Sequence, residues 1–433
     1  MTLGDQDFWP LERIAAMQEA HWRRQGEHVA RHSAFYRRLW GALQPPDRLA
    51  DLPILPLTTK QMLRDSQAAS PPYGDYLAAP LERINRIHRT SGTTGRAVAM
   101  ALSEKDASLN AEVGGRSLRA CGIGPGQVGV HCLNFQMWMG GLSDHLVLEA
   151  TGAASIPFGV GASELLIRTI LDLKVTAIQC TPSYPAVLER VIAERFAGVR
   201  PRDLGLKIGV LTGEPGLENP AFRERVEATW GFVGRNAYGL SEAWSNIAGE
   251  CDHDHDMHFV GLDVLYHELI DPESREPLPW REGTVGELVL THLVKDCQPL
   301  VRFRTRDIVE LTATGACACG RTGPRFRVLG RSDDMIVVRG VNVFPAAVAI
   351  ALNEFSELSG EFRIVLSGWG PLDRLPVDAE LAPGQEPSTR LGEAVAAAIR
   401  DRTGASATVA LLRPASLPRT EGKAKRIIRG AAR

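Results

Sequence analysis

Arg89-Thr90-Ser91-Gly92-Thr93-Thr94-Gly95-Arg96 is the stretch from which the rest of the chain is best interpreted. Its two glycines flank two threonines, so the backbone can turn close to an anion while hydroxyl groups, amides and Arg96 supply hydrogen bonds and charge. The Gly-Lys-Ser/Thr ending of a Walker A loop is missing, which argues against a P-loop NTPase fold. We predict a loop that holds a polyphosphate, although an ordinary flexible turn has the same composition.

The segments around this loop indicate its structural setting. Residues 84–88 and 98–102 are each predicted to form a strand, so the loop is a hairpin turn rather than a strand-to-helix turn. Upstream, residues 52–60 are broken by prolines, and Thr59 is placed to cap the short helix that follows.

Length and composition limit the function classes. At 433 residues the chain exceeds a typical single core and should divide into at least two domains. Its 49 basic and 51 acidic residues leave a net charge of −2, so neither nucleic acid nor an anionic membrane is expected as a partner. No signal-peptide pattern or bilayer-length apolar run is found, and the seven cysteines are scattered. These features predict a cytoplasmic protein with reduced thiols and a small ligand.

Strands and helices alternate after residue 126, which predicts an α/β fold. The predicted strands cover residues 128–133, 154–157, 175–180 and 206–211, and the predicted helices cover residues 139–151, 163–173, 184–196 and 221–230. Ser183 is expected to cap the third helix and Gly231 to end the fourth. In such sheets ligands lie beyond the carboxyl ends of the strands, near residues 181–184, 213–215 and 238–242.

The pattern of predicted secondary structure changes twice in the remainder of the chain. Predicted strands at residues 259–270, 286–293 and 308–311 indicate a strand-rich lobe. The last hundred or so residues follow with helices at 345–355 and 389–403 and strands at 362–367, 375–381 and 408–412. We therefore predict a large α/β N-terminal domain with mixed sheets, residues 1–330, and a small mobile α+β C-terminal domain, residues 331–433.

Four further segments carry chemistry suited to a nucleotide. Tyr238-Gly239-Leu240-Ser241-Glu242 combines a ring, a turn and a carboxylate that could hold Mg²⁺. Asp307 follows three arginines within residues 302–307, so it should stay ionised and able to accept ribose hydroxyls. Residues 330–345 and the basic tail 417–426 complete the set. Taken singly, each has a simpler reading as core, surface ion pair or solvated terminus.

In their order, these motifs resemble those of adenylate-forming enzymes. The chain is similar to the phenylacetate–coenzyme A ligase group in residues 55–60, 213–215, 286–307, 330–345 and 417–426. The resemblance implies two steps, in which a carboxylate attacks the α-phosphate of ATP to release pyrophosphate, and a thiol then displaces AMP. ATP, Mg²⁺ and coenzyme A are the implied cofactors.

The resemblance also implies a role for each matching residue. Thr90, Ser91, Gly92, Thr93, Thr94, Gly95 and Arg96 would cradle the β- and γ-phosphates. The rest of the nucleotide would be held by Gly213, Glu214, Pro215, Tyr238, Gly239, Asp307 and Arg331, with Glu242 serving Mg²⁺. Asp333 would be the hinge of the C-terminal domain and Gly340 part of the thiol channel. Lys423 would stabilise charge on the phosphate during adenylation, with Lys425 as its rival for that role.

A second constellation has the composition of a metal site. Cys251, His258, Cys317 and Cys319 offer three sulfurs and one imidazole, the number of ligands in a closed tetrahedral zinc site. Their spacing resembles that of members of this ligase group with a structural zinc. His253 or His255 could replace His258, and the four residues could also be unpaired polar positions in loops.

The segment that would line the acid pocket is bulky and aromatic, which favours a flat, ring-bearing acid. Its candidate residues are Phe135, Trp138, Gly140, Gly141, His145, Ala237 and Trp244. The family commonly has a Gly-Pro-Gly turn after Glu242, where this chain has Ala243-Trp244-Ser245-Asn246, and Trp244 could narrow the pocket. An aryl acid such as a hydroxy- or aminobenzoate is therefore expected, with His145 facing a polar substituent or simply packed.

Several alternatives remain open at this point. The acyl group could go to a carrier protein's phosphopantetheine thiol or to an amine instead of coenzyme A. A non-catalytic relative should lack Lys423, Glu242 or Asp307, and all three are present. A zinc hydrolase is disfavoured because four ligands leave no open position. A homodimer is possible on this reading and has no signature in the sequence.

Overall fold

The computed structural model describes residues 5–90, 97–339, 341–367, 372–418 and 426–430. The first helices are α1 (Leu11–His32), α2 (Ala34–Trp40) and α3 (Lys60–Ala69). Their apolar faces pack into a cluster that includes the fully buried Trp22 and Tyr36. The prediction that Thr59 caps a helix is confirmed, because its side chain accepts a hydrogen bond from the Met62 N–H at the start of α3.

The predicted hairpin is confirmed for the residues that flank its turn. β1 (Arg86–Arg89) and β2 (Ala99–Leu102) pair antiparallel, with Arg89 opposite Ala99. Residues 91–96, the central part of the predicted phosphate loop, lie outside the described residues.

The predicted α/β alternation is confirmed with shifts of a few residues, and the region also contains a helix at Glu104–Ala120 and a strand at Val233–Tyr238 that the sequence analysis does not predict. Its helices are α4 (Glu104–Ala120), α5 (Met139–Ala150), α6 (Ser163–Leu173), α7 (Tyr184–Arg195) and α8 (Pro220–Trp230). Its parallel strands are β3 (Val128–His131), β4 (Ala154–Pro157), β5 (Ala177–Cys180), β6 (Ile208–Thr212) and β7 (Val233–Tyr238). Gly231 ends α8 in the left-handed conformation, as expected.

The strand-rich region continues the same sheet instead of forming a separate one. It contains β8 (Ala248–Glu250), β9 (Met257–Phe259), β10 (Leu265–Ile270), β11 (Pro277–Leu278), β12 (Val285–His292), β13 (Phe303–Ala313) and β14 (Arg325–Arg331). These strands join β7 through β8 and β9 to give a 12-stranded sheet ordered β11-β10-β12-β13-β14-β9-β8-β7-β6-β5-β3-β4. The sheet is parallel at one end and antiparallel at the other.

Two sequence-based predictions are wrong in detail. The single strand predicted at residues 259–270 is two strands, since Gly261 with φ of +70° turns the chain between β9 and β10. Ser183 does not cap α7 with its side chain, because it has helical backbone angles of φ −76° and ψ −20° instead of the extended angles of a cap. Its backbone N–H instead donates to the Glu214 carboxylate at 2.9 Å.

A separate small sheet forms in the last hundred residues. The elements are β15 (Ile336–Val338), β16 (Val341–Val343), α9 (Pro345–Leu352), β17 (Leu358–Ser367), β18 (Leu375–Leu381), α10 (Thr389–Thr403), β19 (Ala407–Leu412) and β20 (Ile427–Gly430). β19-β18-β17-β20 form one sheet, and β15 pairs with β16. Buried residues of this region share one apolar cluster of their own. The division at residues 330 and 331 stays a prediction.

The described part of the chain contains neither a disulfide bond nor a helix suited to crossing a membrane. The cysteines there are all free, as the scattered spacing predicts. Among the described helices, none combines the length and apolarity that a bilayer crossing requires.

Candidate active site and metal cluster

The phosphate loop begins from a buried, well-bonded threonine. Thr90 exchanges backbone and side-chain hydrogen bonds with Val98: its N–H donates to the Val98 carbonyl at 3.0 Å, and its hydroxyl accepts from the Val98 N–H at 3.1 Å. The Arg89 N–H donates to the Met137 carbonyl at 2.7 Å, which ties the loop to the segment before α5. The predicted phosphate and acid segments are therefore neighbours.

The second nucleotide segment leaves the carboxyl end of β6. Gly213 has φ of +92°, a conformation that glycine adopts without strain, and it turns the chain directly after Thr212. Glu214 follows and accepts the Ser183 N–H, so the turns after β5 and β6 are joined. Pro215 completes this turn. The carboxyl ends of adjacent parallel strands thus meet, as predicted for a ligand site.

A chain of hydrogen bonds links Tyr238, at the end of β7, to strands β13 and β14 of the large sheet. The Tyr238 hydroxyl donates to Asp307 Oδ2 at 2.6 Å, and Arg331 donates to Asp307 Oδ1 at 2.8 Å. Arg331 also pairs with Asp333 at 2.9 Å. Asp307 and Arg331 are register partners on β13 and β14. The structure therefore brings together four residues that the sequence separates by almost a hundred positions.

Tyr238 itself is held as a neutral phenol. Burial, followed by the nearby Asp307 carboxylate, raises the pKa of Tyr238 well above its ordinary value. The turn after Tyr238 needs a glycine, because a Cβ on Gly239 would lie 2.0 Å from the Ser245 carbonyl oxygen. This close approach fixes the backbone that leads to Glu242.

Glu242 is buried and has a partner that the sequence analysis did not assign. Lys60 Nζ lies 2.6 Å from Glu242 Oε1. Burial alone would raise the pKa of Glu242, but the charge and hydrogen bond of Lys60 outweigh it and lower the pKa below its ordinary value. Lys60 is the last residue of segment 55–60. The sequence analysis used this segment to recognise the family but assigned no role to any residue in it. A cation so placed holds Glu242 ionised.

Five of the seven predicted acid-pocket residues lie in α5 or just before it, and Ala237 and Trp244 lie elsewhere. Phe135 contacts the ring of His131 edge-on, with centroids 5.5 Å apart, and Trp138 is partly exposed. Gly141 permits close packing, because a Cβ there would lie 2.3 Å from the Asn134 carbonyl oxygen. Gly140 lies in the first turn of α5, and Ala237 is buried on β7.

His145 and Trp244 both have protein partners. His145 Nδ1 lies 2.8 Å from the Ser155 hydroxyl, and its Nε2 lies 3.2 Å from Glu149. The Trp244 ring is fully buried, and Lys295 Nζ lies 4.5 Å from its centroid. Burial lowers the pKa of Lys295 to about 8. The contributions of His145 and Trp244 to acid selection stay predictions.

Sequence analysis missed a buried polar cluster beside these residues. Gln179 Nε2 donates to Asp144 Oδ2 at 3.2 Å, and Asn246 Nδ2 donates to Asp144 Oδ1 at 3.1 Å. Burial raises the pKa of Asp144 to about 7. Asp144 lies one residue before His145 in a predicted helix. A carboxylate on the apolar face of that helix was the feature of the sequence that could have pointed to this cluster.

The four predicted metal ligands converge. Their ligand atoms, from Cys251, His258, Cys317 and Cys319, all lie within 4.8 Å of one another. The Cys251 and Cys317 sulfurs are 3.8 Å apart, and Cys319 Sγ lies 3.6 Å from His258 Nε2. Zn–S bonds of about 2.3 Å and Zn–N bonds of about 2.1 Å at tetrahedral angles require separations of about 3.8 Å and about 3.6 Å. The donor set therefore fits zinc.

Of the histidines considered, His258 is the one that reaches this cluster. It lies on β9, whereas the side chains of His253 and His255 are 48% and 68% exposed and lie near the carboxylates of Asp252 and Glu250. The sulfur separation of 3.8 Å is far longer than a disulfide bond of about 2.0 Å.

Comparisons with known proteins identify the family to which the chain belongs. Residues 340–429 match the AMP-binding enzyme C-terminal domain family. The chain is 36% identical to a phenylacetate–coenzyme A ligase of Thermus thermophilus, covering 97% of each chain. It is 33% identical to a phenylacetate–coenzyme A ligase of Escherichia coli, covering 96% of this chain and 95% of the relative.

Among solved structures, a 2-hydroxyisobutyryl-CoA ligase in the postadenylation state, bound to its acyl-AMP, is similar with a TM-score of 0.89. It is 31% identical, and the match covers 97% of this chain and 90% of that one. The same ligase in the thioesterification state gives a TM-score of 0.71 at 30% identity, over 98% and 91% of the two chains. The identity over nearly the whole length shows that the chain belongs to the phenylacetate–coenzyme A ligase family, whose members are adenylate-forming, AMP-producing acid–thiol ligases.

Proposed function

We propose that the chain activates an aromatic carboxylic acid with ATP as its acyl adenylate and then transfers the acyl group to coenzyme A. The observation that carries this proposal is the hydrogen-bonded set of Tyr238, Asp307 and Arg331, in a chain that covers 97% of a phenylacetate–coenzyme A ligase. An aromatic acid is favoured by the rings of Phe135 and Trp138 beside the phosphate loop.

In this proposal, the nucleotide lies across the carboxyl ends of β5, β6 and β7. Thr90 and residues 91–96 hold the β- and γ-phosphates, and Gly213, Glu214 and Pro215 line the adenine. Asp307 accepts the ribose hydroxyls. Tyr238 and Arg331 donate to different oxygens of this carboxylate, so its orientation is fixed.

Charge on the phosphates is balanced by groups around Glu242. The Glu242 carboxylate, kept ionised by Lys60, has the oxygen ligands that Mg²⁺ prefers, and the ion would neutralise phosphate charge there. Lys60 can also reach an anion near Glu242, because its side chain is one-third exposed. Lys423, which lies outside the described residues, is proposed to contact the phosphate at which the substrate carboxylate attacks and pyrophosphate leaves.

The second half-reaction is proposed to require rotation of residues 331–433 about Asp333. Two solved structures of one 2-hydroxyisobutyryl-CoA ligase, in the postadenylation and the thioesterification states, support this proposal, since this chain resembles the first more closely, with TM-scores of 0.89 and 0.71. Gly340, outside the described residues, would then line the thiol channel. The thiol sulfur attacks the acyl carbon, and AMP leaves. A carrier-protein thiol or an amine as acceptor is an alternative outcome of the experiment below.

The metal cluster is proposed to hold a structural zinc ion. Cys251 follows β8, His258 lies on β9, and Cys317 and Cys319 lie on the turn after β13, so one ion would join three parts of the sheet. The His253 N–H donates to Cys251 Sγ at 3.4 Å and Arg321 donates to Cys319 Sγ at 3.6 Å, contacts that favour thiolates. We place the protein in the cytoplasm, where free cysteines such as these persist.

ATP–pyrophosphate exchange with a panel of benzoates, phenylacetates and cinnamates tests the proposal. Exchange with an aryl acid is expected, with a loss of at least about 100-fold in Lys423→Ala. Lys425→Ala is the matched control, because it removes a neighbouring charge but not the proposed contact. Addition of coenzyme A should then yield the thioester and AMP. A folded protein that exchanges with none of the acids would contradict the proposal.

A further inference from the structure

Asp144, Gln179 and Asn246 form a buried polar cluster that no step proposed so far uses. Their side chains come from α5, from β5 and from the segment between β7 and β8. All three residues are buried, with 3%, 1% and 0% of their surface exposed. Both carboxylate oxygens of Asp144 accept a hydrogen bond from a side-chain amide, one from each partner.

The cluster lies beside the predicted acid pocket. Gln179 pairs directly with His131 across β5 and β3, so the two side chains share the face of the sheet that β3 and β5 present together. Asp144 Oδ2 lies 3.9 Å from the position that a Cβ on Gly140 would occupy. Gly140 also accepts a hydrogen bond from His131 Nε2 at 2.8 Å. The sheet face and the first turn of α5 therefore enclose this cluster.

Three acceptor atoms in this cluster have no hydrogen-bond partner among the residues that the structure describes. Gln179 Oε1 and Asn246 Oδ1 are buried and accept no hydrogen bond. His131 Nδ1 is also buried without a partner. Because Nε2 faces a carbonyl oxygen, it must carry the proton, which leaves Nδ1 as an acceptor. Burial lowers the pKa of His131 to about 4, consistent with a neutral ring.

The cluster has more hydrogen-bond acceptors than donors. Asp144 and the three unpartnered atoms are all acceptors, and no described residue donates a hydrogen bond to Gln179 Oε1, Asn246 Oδ1 or His131 Nδ1. Buried acceptors without partners are costly, so a group that reaches them should bring O–H or N–H donors. A purely apolar ring would leave them unsatisfied.

We propose that Asp144, Gln179, Asn246 and His131 form a specificity subsite that binds a hydroxyl or amino substituent of the substrate acid. The inference rests on the proposed function, whose substrate class it narrows to acids that carry a neutral hydrogen-bond donor. The sequence analysis expected His145 to contact a polar substituent of the acid. This proposal gives that contact to the cluster instead, because the ring nitrogens of His145 lie beside Ser155 and Glu149. Phe135, whose ring contacts the His131 ring edge-on, would pack against the aryl ring of the acid.

The test compares each unsubstituted acid with its own hydroxy and amino derivatives at all three ring positions. Benzoate and phenylacetate serve as parents, and kcat/KM for ATP–pyrophosphate exchange is measured for every acid. In the wild-type protein, at least one donor-bearing acid should exceed its parent by about 10-fold or more, because a site built for a donor discriminates against the analogue that lacks it. This comparison needs no variant.

Gln179→Met removes the polar atoms at nearly constant volume, and Asp144→Ala removes the shared acceptor. In both variants the ratio of kcat/KM between the preferred acid and its parent should fall toward one. Gln67→Met is the matched control: Gln67 is also a buried glutamine, but it bonds to Tyr76 and Ala99, so its loss should lower thermal stability and leave the ratio unchanged.

The possible failures are distinguishable. Parent acids that exchange as well as every derivative in the wild-type protein would overturn the subsite and leave the proposed function standing. The same holds if Gln179→Met and Asp144→Ala keep the wild-type ratio, since the cluster would then serve only to join α5, β5 and the segment before β8. Exchange with none of the acids would overturn the proposed function and this inference together.

Discussion

At the residue scale, the account depends on how single side chains are oriented by their neighbours. Asp307 is the best example, because Tyr238 and Arg331 each bond to a different oxygen of its carboxylate. The Asp307–Arg331 contact follows from strand register, and the Tyr238 contact follows from the length of β7. These residues should therefore affect nucleotide binding more than they affect folding.

Removing the Tyr238 hydroxyl tests this orientation. Tyr238→Phe should raise the KM for ATP by about 3- to 10-fold with little change in melting temperature, since one hydrogen bond is lost at the ligand site. Steady-state exchange at varied ATP measures it. Tyr36→Phe is the control, because the Tyr36 hydroxyl accepts only from protein groups such as the Val301 N–H. If both variants change the KM equally, Tyr238 has no special part in ATP binding.

Asp144 predicts a pH dependence of stability. Its folded-state pKa of about 7 lies above the ordinary value for aspartate, so between about pH 4 and pH 7 the folded state binds the extra proton and stability falls as pH rises. Asp144→Asn cannot titrate. The melting temperature of this variant minus that of the wild type should increase by at least about 2 °C from pH 5 to pH 8. A constant difference would show that Asp144 is ionised throughout this range.

At the scale of elements, several of the proposed site residues lie in or next to the turn between β7 and β8. It connects Tyr238, Glu242 and Asn246, and Lys60 and Lys295 hold it from either side. Gly239 is the position at which the backbone approaches itself most closely. Small changes in this turn should therefore disturb several proposed contacts at once.

Gly239→Ala should lower exchange activity by more than about 10-fold, because its Cβ would meet the Ser245 carbonyl oxygen at 2.0 Å and displace the turn. Gly124→Ala is the matched control, since a Cβ there would have no atom within 4 Å. Activity is measured as kcat/KM with the preferred acid. A fully active Gly239→Ala protein would mean that the turn can shift without affecting the site.

The metal cluster links elements that are distant in sequence, so its loss should affect stability before chemistry. Removing zinc with a chelator, or replacing Cys317 with serine, should lower the melting temperature by at least about 5 °C. Zinc content by mass spectrometry should fall from one ion per chain. Cys132→Ala is the control, because Cys132 is buried away from the cluster. An unchanged melting temperature after verified metal loss would contradict a structural role.

Much of this architecture follows from local sequence patterns, and the rest does not. The helices of the α/β region and α10 could be predicted because their apolar periodicity and caps are local. The junction of parallel and antiparallel strands through β8 and β9 could not, since three-residue strands have no usable periodicity. Asp144 was missed for a related reason: a single carboxylate acquires meaning only when Gln179 and Asn246 are brought to it by the fold.

At the scale of the whole molecule, the central claim is that one chain performs two steps with two arrangements of its parts. We propose that the large sheet supplies the nucleotide contacts, and that the small sheet, which has its own apolar cluster, belongs to the part that rotates between the two steps. The chain's family membership supports adenylation followed by thioester formation. The two half-reactions should consequently be separable in time.

A single-turnover experiment tests this claim most directly. Excess protein is mixed with ATP and the acid that gives the fastest exchange, quenched, and analysed for acyl-AMP, before and after addition of coenzyme A. We predict that acyl-AMP accumulates with one pyrophosphate released, and that coenzyme A converts it to equal amounts of thioester and AMP. Release of ADP and phosphate, or a thioester that forms without any acyl-AMP, would contradict the account.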